Sequence, residues 1–220
     1  DSKVLVSTLL SGLLSRARLP RLIRTTCEQR RKEWGTCWEA PVSSSPATAF
    51  DRDRVEAVRT RVGEWLEGGK AGAGLRIGIA CARFNGGITT RLLEGVLEAL
   101  GECGVAPGDI VVAWVPGAFE LPQAALALAD GEAPCDAVVV LGAVIRGETS
   151  HYDIVAGECA RGIQDVQLSL RVPVVFGVLT VENEQQALAR SQPDHTNVGY
   201  YSGLTAVEMI SLLRQGSIGS

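Results

Sequence analysis

The chain has 220 residues, 46% of them apolar, and a formal net charge of −4. That is enough chain for one domain with an extension, and enough apolar side chain for a full core. The acidic balance argues against a nucleic-acid partner, and no apolar run approaches the roughly 18 residues of a membrane span.

The charge is unevenly spread. Residues 2–27 hold no Asp or Glu but carry Lys3, Arg16, Arg18, Arg21 and Arg24. A basic, Ser- and Leu-rich, acid-poor leader has the composition of an organellar transit peptide. Delivery to a chloroplast or other plastid is therefore expected, with a cytoplasmic location as the alternative. Residues 28–50 mix charges, Trp34, Trp38 and a Ser/Pro/Ala run, and read as a linker. The N-terminal extension thus covers residues 1–50. Residues 51–67 turn helical, with Val55, Val58, Val62, Trp65 and Leu66 on one face, which predicts a packing helix. Gly68–Gly74 (GGKAGAG) reads as a flexible hinge that closes a segment over 51–74. It precedes a strand and lacks a Gly-Lys-Ser/Thr ending, so it is not a phosphate loop. The six cysteines form no C-x-x-C pair and lie beside neither histidine, so no metal site is expected. Cys81 lies in an apolar run and Cys159 in a helical pattern, where both read as buried free thiols.

From Leu75 strands and helices alternate. Strands are predicted over Leu75–Arg83, Ile110–Val115, Ala137–Ile145 and Pro173–Thr180. Helices are predicted over Ile88–Leu100, with Asn85 as a cap, and over about Phe119–Asp130 and Ser150–Leu170. A short helix over Glu182–Arg190 and a closing one over Leu204–Gln215 complete the domain at 75–215. Repeated strand–helix units demand a parallel sheet covered by helices on both faces. The fold class is α/β, a three-layer α/β/α sandwich on a four-stranded parallel sheet.

Ligands of such sheets collect at the carboxyl ends of the strands. Phe84 and Asn85 follow the first strand, and Gly117, Ala118, Phe119 and Glu120 follow the second. Arg146 to His151 follow the third, while Phe176 lies in the fourth and Arg190 in the short helix after it. Phe84 and Phe119 could stack on a planar ring. Thr149, Ser150, a helix N-terminus and Arg190 could hold a phosphate. His151, one of only two histidines, could take or give a proton near neutrality. The set suggests a cofactor-free site for a planar ring plus a phosphate.

Four segments carry a resemblance: Ile77–Thr89 (IGIACARFNGGIT), Val115–Pro122 (VPGAFELP), Gly142–Ala156 (GAVIRGETSHYDIVA) and Phe176–Arg190 (FGVLTVENEQQALAR). In order and spacing, residues 75–190 resemble the lumazine synthase family, the 6,7-dimethyl-8-ribityllumazine synthases of riboflavin biosynthesis. The resemblance implies a flavodoxin-like fold assembled as a homopentamer, in some members as an icosahedral 60-mer. It implies condensation of 5-amino-6-(D-ribitylamino)uracil with 3,4-dihydroxy-2-butanone 4-phosphate, releasing phosphate and water, with no cofactor or metal. By the same resemblance Phe84 stacks on the pyrimidine with Asn85 beside it. Ala118, Phe119 and Glu120 bind the ribityl chain, and Ala143, Val144 and Ile145 offer backbone to the ring. Glu148 and Thr149 contact the phosphate, and His151 transfers protons. Phe176 and Arg190 reach the neighbouring subunit's site. One stretch departs: Asn197-Val198-Gly199-Tyr200-Tyr201 lacks the charged residues usual there. That departure predicts reduced activity or a rearranged pocket rim. The alternative reading is a weakened homologue that serves as a flavin- or lumazine-binding shell protein.

Overall fold

The computed structural model describes residues 51–194 and 196–215. The basic leader and the linker of residues 1–50 lie outside the described residues, and no helix among those described is long and apolar enough to cross a membrane. Four strands, β1 (Ile77–Ala82), β2 (Ile110–Val115), β3 (Ala137–Ile145) and β4 (Val174–Val181), form one all-parallel sheet in the order β2-β1-β3-β4. β1 is buried along its whole length and β3 nearly so, as continuous apolar runs in a doubly covered sheet must be.

The helices are α1 (Arg52–Arg59), α2 (Gly86–Glu102), α3 (Leu121–Ala129), α4 (His151–Leu170), α5 (Glu184–Ala189) and α6 (Val198–Leu213). α2 and α6 pack together on one face of the sheet, and α3 and α4 on the other. The expected flavodoxin-like three-layer sandwich is therefore what forms. Side chains alternate across the sheet. Val138 and Val140 join Leu121, Ala125, Cys159 and Ile163 in the core under α3 and α4. Cys81, Cys103, Cys135 and Cys159 are all buried, and Cys81, Cys135 and Cys159 are free thiols.

Three expectations need correction. The helix predicted over 51–67 stops at Arg59 and buries none of its residues, with Val58 and Val62 47% and 48% exposed. Its charged residues leave little apolar surface to pack, and the Thr60 hydroxyl donates back to the Ala57 carbonyl just past its end. The Gly-rich stretch is not free chain: Gly69 N donates to Ser211 Oγ at 2.8 Å, Gly72 N donates to Cys103 O at 2.8 Å, and a Cβ on Gly68 would stand 2.2 Å from Glu208 O. These glycines allow the backbone to lie directly on α6 and the end of α2. The closing helix starts six residues earlier than the predicted Leu204, at Val198, capped by the Asn197 side chain, which accepts from Gly199 N at 2.8 Å. Its first turns press on α2 so closely that a Cβ on Gly199 would lie 2.0 Å from Leu92 O. Tertiary packing, not local propensity, extends that helix.

Candidate active site

A cavity of about 710 Å³ opens at the carboxyl ends of β1 and β3. Strand order reverses between these two, with β2 on one side and β4 on the other. Open α/β sheets form their ligand crevice at that point because the following loops diverge there. The volume suits a small organic ligand.

Each wall follows from local structure. Beyond β1 the backbone continues to pair with the loop after β2: Arg83 N donates to Val115 O at 2.8 Å and Phe84 N to Pro116 O at 3.1 Å. That pairing sets Phe84 at the rim, where it is 71% exposed. Asn85 then turns left-handed, with φ of 57°. Its backbone carbonyl accepts from Ile88 N and Thr89 N, but its side chain does not cap α2 as predicted. The amide reaches across instead, and Nδ2 donates to Ala143 O at 2.8 Å. Asn85 thus ties the rim of one strand to the end of the other.

Past β2, Ala118–Glu120 form a short 3-10 turn. Glu120 Oε2 accepts from Gly117 N at 2.9 Å, which holds the carboxylate at the cavity wall. Phe119 projects outward, 55% exposed, and Ala118 is buried. On the third side lie Ala143, Val144 and Ile145 at the end of β3, then Gly147 and Thr149 in the loop, then His151 and Tyr152 in the first turn of α4. α4 runs for 20 residues, and its positive end meets the same cavity, with His151 N donating to Thr149 Oγ1 at 3.4 Å and Asp153 N to Ser150 O at 3.1 Å.

The structure therefore gathers Phe84, Ala118, Phe119, Glu120, Ala143, Val144, Ile145, Thr149 and His151 around one space. It does not bring four others to the lining. The Asn85 amide is turned to backbone, and Glu148 is exposed in the loop. Phe176 sits on the edge strand β4, 39% exposed, and Arg190 lies past the end of α5, with Nη1 donating to Gln186 O at 3.1 Å. The departing residues are elsewhere too. Tyr200 is buried against α2, and its hydroxyl donates to Glu102 Oε2 at 2.7 Å. Neither it nor Val198 or Tyr201 lines this cavity. Among the described residues, that stretch lies outside the lining of this cavity.

Gly117, a strand-end candidate, also lines the cavity, and so do Ala82, Pro116, Tyr152, Ile154 and Val155, which were not foreseen. A signal for two of them was present: once His151 starts a helix, Tyr152 follows it and Val155 lies one turn on. The apolar lining, the aromatic rim and the helix start with its hydroxyl and imidazole together suit a planar polar ring held beside an anion.

A parallel sheet sandwiched by helices, with a ligand-sized cavity at its strand-order reversal, defines a flavodoxin-like α/β protein that takes a small molecule at the strand ends. Residues 74–214 match the family model of 6,7-dimethyl-8-ribityllumazine synthase, and the chain belongs to that family. It is thereby placed with transferase-type enzymes of riboflavin biosynthesis.

Proposed function

We propose that the cavity condenses 5-amino-6-(D-ribitylamino)uracil with 3,4-dihydroxy-2-butanone 4-phosphate to form 6,7-dimethyl-8-ribityllumazine. The observation that carries this reading is the meeting, in one cavity, of an aromatic rim at Phe84 and Phe119 with the His151 and Thr149 end of α4. The pyrimidine stacks on Phe84, with the backbone of Ala143 to Ile145 along its edge. The ribityl chain runs past Ala118, Phe119 and Glu120. The phosphate sits at the start of α4, taking the Thr149 hydroxyl and the positive end of the helix, with Glu148 beside it. Attack of the ring amine on the ketone gives an imine with loss of one water, phosphate then leaves, and the ring closes with loss of a second water. His151 moves the protons that these steps release and consume.

Asn85 serves the site by holding Phe84 and Ala143 in place. Phe176 and Arg190 complete the site of a neighbouring copy in a homopentamer, and their outward position on β4 and α5 supports that role. The acid-free leader supports delivery to a plastid.

The test mixes both substrates with the full chain and follows the lumazine chromophore and released phosphate. Product should appear above the uncatalysed background, and His151→Ala should slow turnover by about 10²-fold, the lower end for a general acid–base group. Bound lumazine without turnover would leave a binding protein in place of an enzyme.

A further inference from the structure

Arg146 opens the loop that leads to His151, yet its side chain stays out of the cavity. Its Nη2 lies 3.1 Å from Asp153 Oδ1 in the first turn of α4, and its Nε lies 2.9 Å from Glu182 Oε2 just past β4. The guanidinium carbon stands 4.0 Å over the Tyr152 ring. Its backbone N–H donates to Val181 O at 2.9 Å. One residue therefore joins the end of β3, the start of α4 and the end of β4. The hydrogen bond to Asp153, then that to Glu182, raises its pKa further above the usual arginine value, so the guanidinium keeps its charge.

The loop needs such a clamp. Residues 146–151 are all exposed, and exposed backbone with few buried contacts opens easily. Gly147, Thr149, His151 and Tyr152 from this stretch nevertheless line the cavity. A planar fork can serve two carboxylates while its face stacks on a ring, which an ammonium cannot do. We propose that Arg146 is a positioning residue: it holds the loop and the first turn of α4 so that Thr149, His151 and Tyr152 face the cavity, without itself touching substrate. This inference rests on the condensation reading for its kinetic test.

The ion pairs are exposed, Arg146 by 38% and its partners by 61% and 60%, so their loss should leave global stability nearly unchanged. Arg161 supplies a control. It also pairs with two carboxylates, Glu158 and Asp165, but all three lie within α4 and bridge nothing. In the full-length chain, Arg146→Gln should lower kcat by about 10- to 100-fold, the scale of a displaced catalytic group. KM for the phosphorylated substrate should rise along with that fall, because Thr149 and the first turn of α4 are displaced together with His151. Amide hydrogen exchange over residues 147–153 should accelerate, and the melting temperature should hold. Arg146→Lys should not rescue kcat, while Arg161→Gln should match the parent in every measurement. A raised KM for the phosphorylated substrate with kcat intact would overturn the proposal, because Arg146 would then bind phosphate directly. Parent chain without turnover would sink the condensation reading alone. The exchange measurement still decides the clamp, and unaltered exchange in Arg146→Gln overturns it.

Discussion

Asn85 offers a test in which geometry and hydrogen bonding separate. It holds a left-handed backbone, φ 57°, and donates its amide to Ala143 O at 2.8 Å. Asparagine tolerates that backbone region better than most residues. Asn85→Gly keeps the conformation and removes the bond, and should cost about 1 kcal/mol. Asn85→Ala removes the bond and adds the left-handed penalty of about 1–2 kcal/mol, for a total of roughly 2–3 kcal/mol. Asn85→Asp preserves shape but sets a carboxylate oxygen against a carbonyl oxygen. It should cost at least as much as the alanine variant at neutral pH. That carboxyl ionises less readily in the folded chain than in the unfolded one, so the deficit should shrink as pH falls and the proton needed for donation returns. Urea melts at neutral and acidic pH read all three. The same variants should loosen the rim that carries Phe84 and raise KM for the pyrimidine substrate. A glycine variant as damaged as the alanine variant would show that the backbone conformation carries no cost. An aspartate variant as stable as the parent would refute the hydrogen bond.

Two further outcomes follow from buried groups. Burial pushes the Cys81 and Cys159 thiols from 9.0 up to about 11, with Thr89 partly offsetting the effect at Cys81. A raised thiol pKa means the folded chain keeps a proton that the unfolded chain loses. Stability is therefore fully present below pH 9.0 and drains as pH climbs toward about 11. At about 1.4 kcal/mol per unit, the loss approaches roughly 3 kcal/mol per thiol. Urea midpoints that stay flat across this window would refute it. Tyr200→Phe removes the hydroxyl that donates to Glu102 and should cost about 1.5–3 kcal/mol, as for bonds to charged groups. Because Tyr200 does not line the cavity, kcat should not change. A fall in kcat without a fall in stability would show that this stretch acts on the site.

The sheet was readable because its strands are long apolar runs. The bounds of β2 and β3 coincide with the predicted Ile110–Val115 and Ala137–Ile145, and α4 starts one residue after the predicted Ser150. Buried parallel strands have no alternative environment, so composition alone marks them. The start of α6 was not readable, because Gly199 and Gly203 look like loop until α2 is in place. The Val55–Leu66 stripe failed for the opposite reason: periodicity existed without a partner surface among the described residues. At the site, the strand-end rule found the residues that follow β1, β2 and β3. It could not separate Asn85, whose amide turns to backbone, from Phe84 beside it. Nor could it tell that Phe176 and Arg190 stay outside the lining of their own chain's cavity.

The departure at Val198 to Tyr201 shows how position changes the meaning of a substitution. In the sequence, loss of charge there reads as loss of function. In the fold, these residues begin α6 on the α2 face. Tyr200 is 3% exposed. A carboxylate at that depth would need a buried partner or stay protonated. The tyrosine hydroxyl instead donates to the half-buried Glu102 at the end of α2. Tyr201 packs its ring edge-on against Tyr200, 6.0 Å between centroids. The Tyr200–Glu102 bond ties the start of α6 to the end of α2. Asn197 retains the cap, and Gly199 the close approach, that this packing requires. Within the chain, what the stretch holds is the α2–α6 pair, and α2 begins just after Asn85, the residue whose amide ties the Phe84 rim to the end of β3.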